Sequence, residues 1–323
     1  MSDPLLQVRG LTKHFGNRGL FGRGRVVHAV EDVSFDVARG EVVGLVGESG
    51  SGKTTIARCA LRLTEPTGGD IRFAGSDLRR LPRRELKQLR RRLQYVFQDP
   101  FDSLSPRMTV AGILTEGLSI QGIGSHAERR DRALQALTAV ELPPDSMARY
   151  PHQFSGGQRQ RLGIARALVL QPDFLVADEP VSALDVSIQA QIINLLRGLQ
   201  QRMGLAMLFI SHDLAVVEYL SDRVVVLYLG RVMEVAPTVR LYEAPQHPYT
   251  RALMAAVPVP DPGAPHRVAL LRGDIPNPAN PPSGCVLHTR CPFATAECQR
   301  AVPPLREVAP GHAKACWRDD LPA

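Results

Sequence analysis

The stretch GESGSGKTT, Gly47 to Thr55, decides the fold of this 323-residue chain. It matches G-x-x-x-x-G-K-[ST], with Gly47, Gly52, Lys53 and Thr54 at the fixed positions. Val42, Val43, Leu45 and Val46 in front of it read as a buried strand, and TTIARCALRL from Thr54 onward reads as a helix. Glycines let the backbone curl, so that N–H groups across Glu48, Ser49, Gly50, Ser51 and Gly52 point at one anion. The start of the helix, Lys53 to Thr55, adds a partial positive charge. Lys53 supplies a point charge for the outer phosphates, and the Thr54 hydroxyl is placed to ligate Mg²⁺. The expectation is an α/β P-loop fold that binds a nucleotide.

Two downstream stretches narrow this. In FLVADEP, Phe174 to Ala177 form a short apolar strand of the kind buried on both faces of a parallel sheet. Asp178 and Glu179 follow at its carboxyl end, where open α/β sheets bind ligands. Asp178 is placed to hold Mg²⁺ directly or through water, and Glu179 to orient or deprotonate an attacking water. In FSGGQRQ, Ser155 reads as a helix N-cap, Gly156 and Gly157 permit close backbone approach, and Gln158 to Leu170 reads as a helix. This is a second anion-ready helix start. One nucleotide pocket needs only one such cradle, so the second serves something else. In this order the three stretches point to a dimeric ATPase that closes two nucleotides between two copies of the fold.

The longest apolar runs, such as Val224 to Leu229, fall far short of the ~20 residues that span a bilayer. The opening MSDPLLQVRG is too polar for a secretory leader. The expectation is a peripheral protein on the cytoplasmic face of the inner or plasma membrane, held there by partners. The net charge is +7, and eight of the fourteen residues from Arg79 to Arg92 are basic, on what reads as a helix broken by Pro82. No aromatic residue interleaves with them, so a solvated face is favoured over a nucleic-acid reader.

Leu5 to Asp36 reads as strand-rich with a glycine/arginine loop, residues 99–167 as a mostly helical subdomain, and Phe174 to Leu229 as strand, helix, strand, strand. Residues 257–284 hold eight prolines, which suits an extended connector between a nucleotide-binding domain (1–256) and a tail (285–323). The tail carries Cys285, Cys291, Cys298 and Cys316, spaced C-x5-C-x6-C-x17-C. Such a late cluster reads as a metal site before a disulfide framework. Four thiolates hold either Zn²⁺ or a [4Fe–4S] cluster, and spacing does not choose between them. The fifth cysteine, Cys59, reads as packed in the P-loop helix.

From about Leu5 to Ala255 the chain resembles the nucleotide-binding subunits of ATP-binding cassette (ABC) transporters. The resemblance implies their fold: a parallel sheet core, a small antiparallel β-layer and a helical subdomain, here with a Cys-rich extension. It implies that Ser155, Gly156, Gly157 and Gln158 cover the γ-phosphate of ATP held by the opposite subunit. Gln98 in YVFQDP matches the glutamine that senses Mg²⁺ and water and links the site to the membrane partner. Ser182, Leu184 and Asp185 in SALD match the D-loop at the dimer seam. His212 in FISHD matches the switch histidine, and Phe15 matches the aromatic that stacks on adenine.

HPYTRALMAAVP (His247 to Pro258), LRGDIPNPANPPSGCVLHTRCPFA and GHAKACW resemble the oligopeptide/dipeptide importer branch. SPRMTV and FSGGQRQR look like its second, F-type, ATPase subunit. That branch implies a second ATPase (or a second copy), two transmembrane permease subunits, an extracytoplasmic peptide-binding protein and no nucleic acid. It also implies [4Fe–4S] over Zn²⁺ on the four cysteines. Nickel and glutathione importers are alternatives within the resemblance, and a nucleic-acid ABC ATPase is a more distant one.

Overall fold

The computed structural model describes residues 4–16, 25–99, 104–256 and 271–320. The tip of the glycine/arginine segment (17–24), residues 100–103 after Gln98 and the first half of the connector (257–270) lie outside the described residues. The chain divides into two compact units: Met1–Leu5, Val37–Val42 and Arg80–Ile210 form one, and Leu6–Asp36, Val43–Arg79 and Ser211–Ala323 the other.

In the first unit, three parallel strands run Leu93–Val96, Phe174–Asp178 and Ala206–Ile210, with Phe174–Asp178 in the middle. Every residue of the middle strand is buried, as its unbroken apolar run requires. An ion pair between Arg92 and Asp173 (2.5 Å) ties the two strand entrances together. The helices Val110–Ile120, His126–Ala139 and Gly156–Leu168 pack on one another. Each begins where a side chain satisfies an otherwise orphaned N–H: Thr109, Ser125 with Glu128, and Ser155 with Gln158. The last helix therefore starts two residues before the expected Gln158 and ends at Leu168. In the basic run, Pro82 sits at the N-cap of helix Arg83–Leu89, so it starts the helix there and interrupts nothing.

In the second unit, strand Val42–Val46 runs parallel to Arg223–Tyr228, which turns back into Arg231–Pro237. Beside these lies an antiparallel layer ordered Val27–Val37, Leu6–Phe15, Gly68–Phe73, Ser76–Asp77. The tail adds strands of its own. His312–Lys314 pairs with Arg231–Pro237 and with Arg306–Ala309. Among the described residues no helix is long and apolar enough to cross a membrane.

A buried carboxylate holds the tail to this sheet. Glu234 has no solvent exposure. It accepts hydrogen bonds from the backbone N–H of Gln246 (2.7 Å) and His247 (3.0 Å) and from the His312 ring (2.6 Å). Burial pushes its pKa up, but these donors, His312 first, more than offset that and hold it below the ordinary carboxylate range. Glu234→Gln sets an amide donor against one of the two fixed N–H groups, whichever way the amide turns. We expect a loss of about 3 kcal/mol, read as a lower melting temperature and faster protease cleavage within 306–316. Unchanged values for both would show that Glu234 does not anchor the tail.

Candidate functional site

The P-loop is held by close backbone contacts. Gly47 (φ 153°), Gly50 (φ 78°) and Gly52 (φ 100°) all adopt the left-handed half of backbone space. A Cβ on Gly47 would sit 2.2 Å from the Leu227 carbonyl oxygen, and one on Gly52 2.4 Å from that of Ala29. Gly230 N–H donates to Ser51 O (2.9 Å), which fixes the loop to the strand turn. Helix Lys53–Ala60 begins directly after Gly52. The buried Lys53 ammonium donates to the carbonyls of Gly47 (2.8 Å) and Glu48 (3.1 Å), so the charge is folded back over its own loop. The Ser51 hydroxyl is buried there with no protein partner. A helix start, a fixed ammonium and an orphaned hydroxyl are a donor set for phosphate. Thr54 and Thr55 are half-buried at the helix start. Phe15 is 43% exposed, with the Lys13 ammonium 4.7 Å above its ring. His212 is exposed, next to Asp213, which caps helix Leu214–Leu220.

A residue that the motifs do not mark reaches this loop from the tail. Arg290, adjacent to Cys291, is nearly buried and donates to both carboxylate oxygens of Glu48 (2.8 and 3.3 Å) and to the Tyr228 hydroxyl (3.3 Å). The Tyr249 hydroxyl accepts the Glu48 N–H (2.9 Å), and its ring lies 4.8 Å from that of Tyr228. Burial pushes the Tyr249 pKa up, so its hydroxyl stays neutral. The second residue of the P-loop is thus gripped at side chain and backbone. The signal was weak in the sequence, because Arg290 is one of thirty-five arginines and stands 242 residues from its partner.

In the other unit, Asp178 ends the central strand almost fully buried and accepts the Tyr95 hydroxyl (2.5 Å). Glu179 follows with a left-handed backbone (φ 44°) while its N–H stays bonded to Ile210 O (2.9 Å). The turn swings Glu179 out of the strand line, where the Gln98 amide donates to its carboxylate (3.1 Å). Ser182 bonds back to Glu179 O (3.2 Å) and lies 3.5 Å from the same amide. Gln98, Asp178, Glu179 and Ser182 therefore form one constellation of two carboxylates with a positioned amide.

The segment at Ser155 forms a reciprocal cap. The Ser155 hydroxyl accepts Gln158 N–H (3.4 Å), and the Gln158 amide oxygen accepts Ser155 N–H (3.0 Å). A Cβ on Gly157 would lie 2.5 Å from Ile188 Cγ2, and one on Gly156 3.3 Å from Leu184. The glycines therefore have a job inside the chain: they admit Leu184 and, from the helix that follows it, Ile188. Asp185 stands at the N-cap of helix Val186–Met203 and makes no side-chain capping bond.

The four tail cysteines line one cavity, together with His288, Phe293 and Trp317. All four are free thiols. Burial pushes Cys285 up to about 11 and raises Cys291 and Cys316, with the neighbouring thiols adding to the rise. Gly284 (φ 64°) turns the chain into the cavity, and a Cβ there would strike Cys298 O at 2.4 Å. Cys285 N–H donates to that same carbonyl (2.7 Å).

The chain matches the family model described as ABC transporter over residues 30–182. It matches that of the oligopeptide/dipeptide transporter C-terminal region over residues 233–298. A putative peptide import ATP-binding protein of Brucella ovis is 67% identical over 318 residues, covering 98% of this chain and 99% of that one. The putative oligopeptide transport ATP-binding protein YkfD of Bacillus subtilis is 50% identical, over 97% of this chain and 95% of its own. Among solved structures, the dimeric cassette MJ0796 in a post-hydrolysis state with ADP and phosphate aligns with TM-score 0.64 at 31% identity, over 72% of this chain and 98% of that one. The chain belongs to the ABC transporter ATP-binding family and is an ATPase.

Removing the Arg290 grip tests its hold on the P-loop. Arg290→Ala leaves the Glu48 carboxylate beside two tyrosines without its cation. Expected is a roughly tenfold or greater loss of ATP-analogue affinity, in line with the ~1.5–3 kcal/mol of a charged hydrogen bond. Arg290→Lys should restore part of it. Wild-type affinity in both variants would mean that the tail does not support the loop.

Proposed function

We propose that this chain is the ATP-hydrolysing subunit that powers import of di- or oligopeptides through a membrane ABC transporter. The observation that carries the reading is the junction of two regions in one chain. A complete set of ATPase motifs is followed by a C-terminal region like that of oligopeptide/dipeptide transporters. Peptide-import relatives cover almost its whole length.

In this reading the chain works at the cytoplasmic face as a peripheral protein, beside a second ATPase subunit and beneath two permease subunits. An extracytoplasmic binding protein supplies peptide. The P-loop, Gly47 to Thr55, cradles the phosphates, and Lys53 leaves its carbonyl partners for the outer ones. Phe15 stacks on adenine. Ser155, Gly156, Gly157 and Gln158 cover the ATP of the opposite subunit, with Asp185 at the seam. Thr54, Gln98 and Asp178 would hold Mg²⁺, which neutralises charge on the transferred phosphate. Glu179, oriented by Gln98, positions or deprotonates the attacking water, and His212 steadies the γ-phosphate. Gln98 leads directly into the segment 99–107, which is read as the contact with the permease.

Cys285, Cys291, Cys298 and Cys316 would hold a [4Fe–4S] cluster that staples the tail. The donor set fits a metal: four free, largely buried thiols around one cavity, with Gly284 turned to admit the chain. Four thiolates suit either metal, and the preference for [4Fe–4S] over Zn²⁺ rests on the likeness of this tail to the oligopeptide/dipeptide importer branch.

Two outcomes test this. Glu179→Gln in the assembled transporter should retain ATP while hydrolysis falls at least ~100-fold; unchanged turnover would reject Glu179. Protein purified without oxygen should contain about four irons per chain, with matching sulfide. Cys298→Ser should lose both and melt at a lower temperature. Zinc in place of iron would select the other metal, and the absence of both would reject the cysteine site.

A further inference from the structure

We propose that His14, His28 and Glu31 form a second metal site, separate from the cysteines, which takes one zinc-class divalent cation on the adenine side of the P-loop. His14 Nε2, His28 Nδ1 and Glu31 Oε1 lie within 4.8 Å of one another. Both imidazoles point a ring nitrogen at the same carboxylate oxygen, His28 at 2.6 Å and His14 closer still. Their ring centroids are 4.4 Å apart. Two imidazoles and a carboxylate are the donor set that zinc uses when it leaves its fourth position to water.

The surroundings suit a cation. His14 is the last residue but one of strand Leu6–Phe15 and His28 the second of strand Val27–Val37, neighbours in the antiparallel layer, so the ligands stand on adjacent strands. Side-chain exposures of 30%, 34% and 22% leave the group open to solvent. The Arg231 guanidinium lies 4.0 Å from Oε2, the other Glu31 oxygen, and so turns Oε1 toward the histidines. A cation in place of the shared protons would widen the donor spacing to about 3.4 Å, given metal–ligand bonds of 2.0–2.2 Å. That is a shift of less than about one ångström for half-exposed side chains.

The site has a short path to the nucleotide loop. Glu31 N–H donates to Gly230 O (2.8 Å), and Gly230 N–H donates to Ser51 O (2.9 Å). Ala29 O, two residues before Glu31, is the atom that forbids a side chain on Gly52. His14 directly precedes Phe15. A cation that ties the two strand ends together therefore restrains both the exposed aromatic and the backbone behind Ser51 and Gly52. Linkage makes the effect reciprocal: nucleotide changes metal affinity by the same factor as metal changes nucleotide affinity.

Cobalt(II) titrated into the intact protein, with its cysteine site as purified, distinguishes the two sites. The histidine site gives visible ligand-field bands without sulfur-to-cobalt charge transfer, whereas thiolates give the charge-transfer band. We expect one equivalent of the first kind, lost in His28→Ala and in Glu31→Gln. Both variants should remain folded in metal-free buffer, with the wild-type circular dichroism spectrum. We also expect Co²⁺ or Zn²⁺ to change the affinity of a fluorescent ATP analogue at least ~5-fold, and neither variant to respond. Absence of the bands, or their persistence in His28→Ala, overturns the site. Equal nucleotide affinity with and without the cation overturns the linkage.

Discussion

The structure around the nucleotide loop depends on one contact: the backbone of Gly52 against the carbonyl oxygen of Ala29. A Cβ at Gly52 would stand 2.4 Å from that oxygen, closer than any side chain is tolerated. Only glycine brings the loop down onto the strand behind it and also takes the left-handed turn that starts helix Lys53–Ala60. Gly47 makes the same kind of contact with Leu227 on the other side. Between these two points the path of the loop is set by close backbone contacts on both sides. Preorganisation of this kind matters because phosphoryl transfer draws on positioning and charge more than on covalent chemistry.

The acidic constellation obeys a different constraint. Asp178 must end a strand buried on both sides, and Glu179 must leave it. The left-handed backbone at Glu179 makes that break while its N–H keeps the last bond of the sheet, to Ile210. A non-glycine residue in that conformation costs of order 1 kcal/mol or more, and such strain gathers where function needs a side chain aimed off the regular line. The amide of Gln98, arriving from a neighbouring strand, meets the carboxylate at the end of this turn.

The tail is joined to the rest of the second unit by three separate devices. Its strand His312–Lys314 extends the sheet, Glu234 on the neighbouring strand bonds His312, and Arg290 pairs with Glu48 in the P-loop. A metal on the cysteines would therefore be stapling a segment that already touches the loop. Loss of such a metal would be felt at Glu48 through one residue, Arg290, next to Cys291.

Most of the ATPase motifs were legible in the sequence because they are local. A strand, a glycine loop and a helix start lie within fifteen residues, and their chemistry follows from residue type and order. The buried strand Phe174–Asp178, the cap at Ser155 and the cysteine quartet were readable for the same reason. The helix after Ser155 starts two residues earlier than its sequence pattern suggests, because the reciprocal bond with Gln158 extends it toward the cap. What only the tertiary structure decided were encounters between distant segments: Arg290 with Glu48, Glu234 with His312, Gly157 with Ile188, and His14 with His28 and Glu31. A charge or a histidine has no periodicity that names its partner. Its meaning depends on which backbone the folded chain sets beside it, and that is determined by the packing of the whole unit.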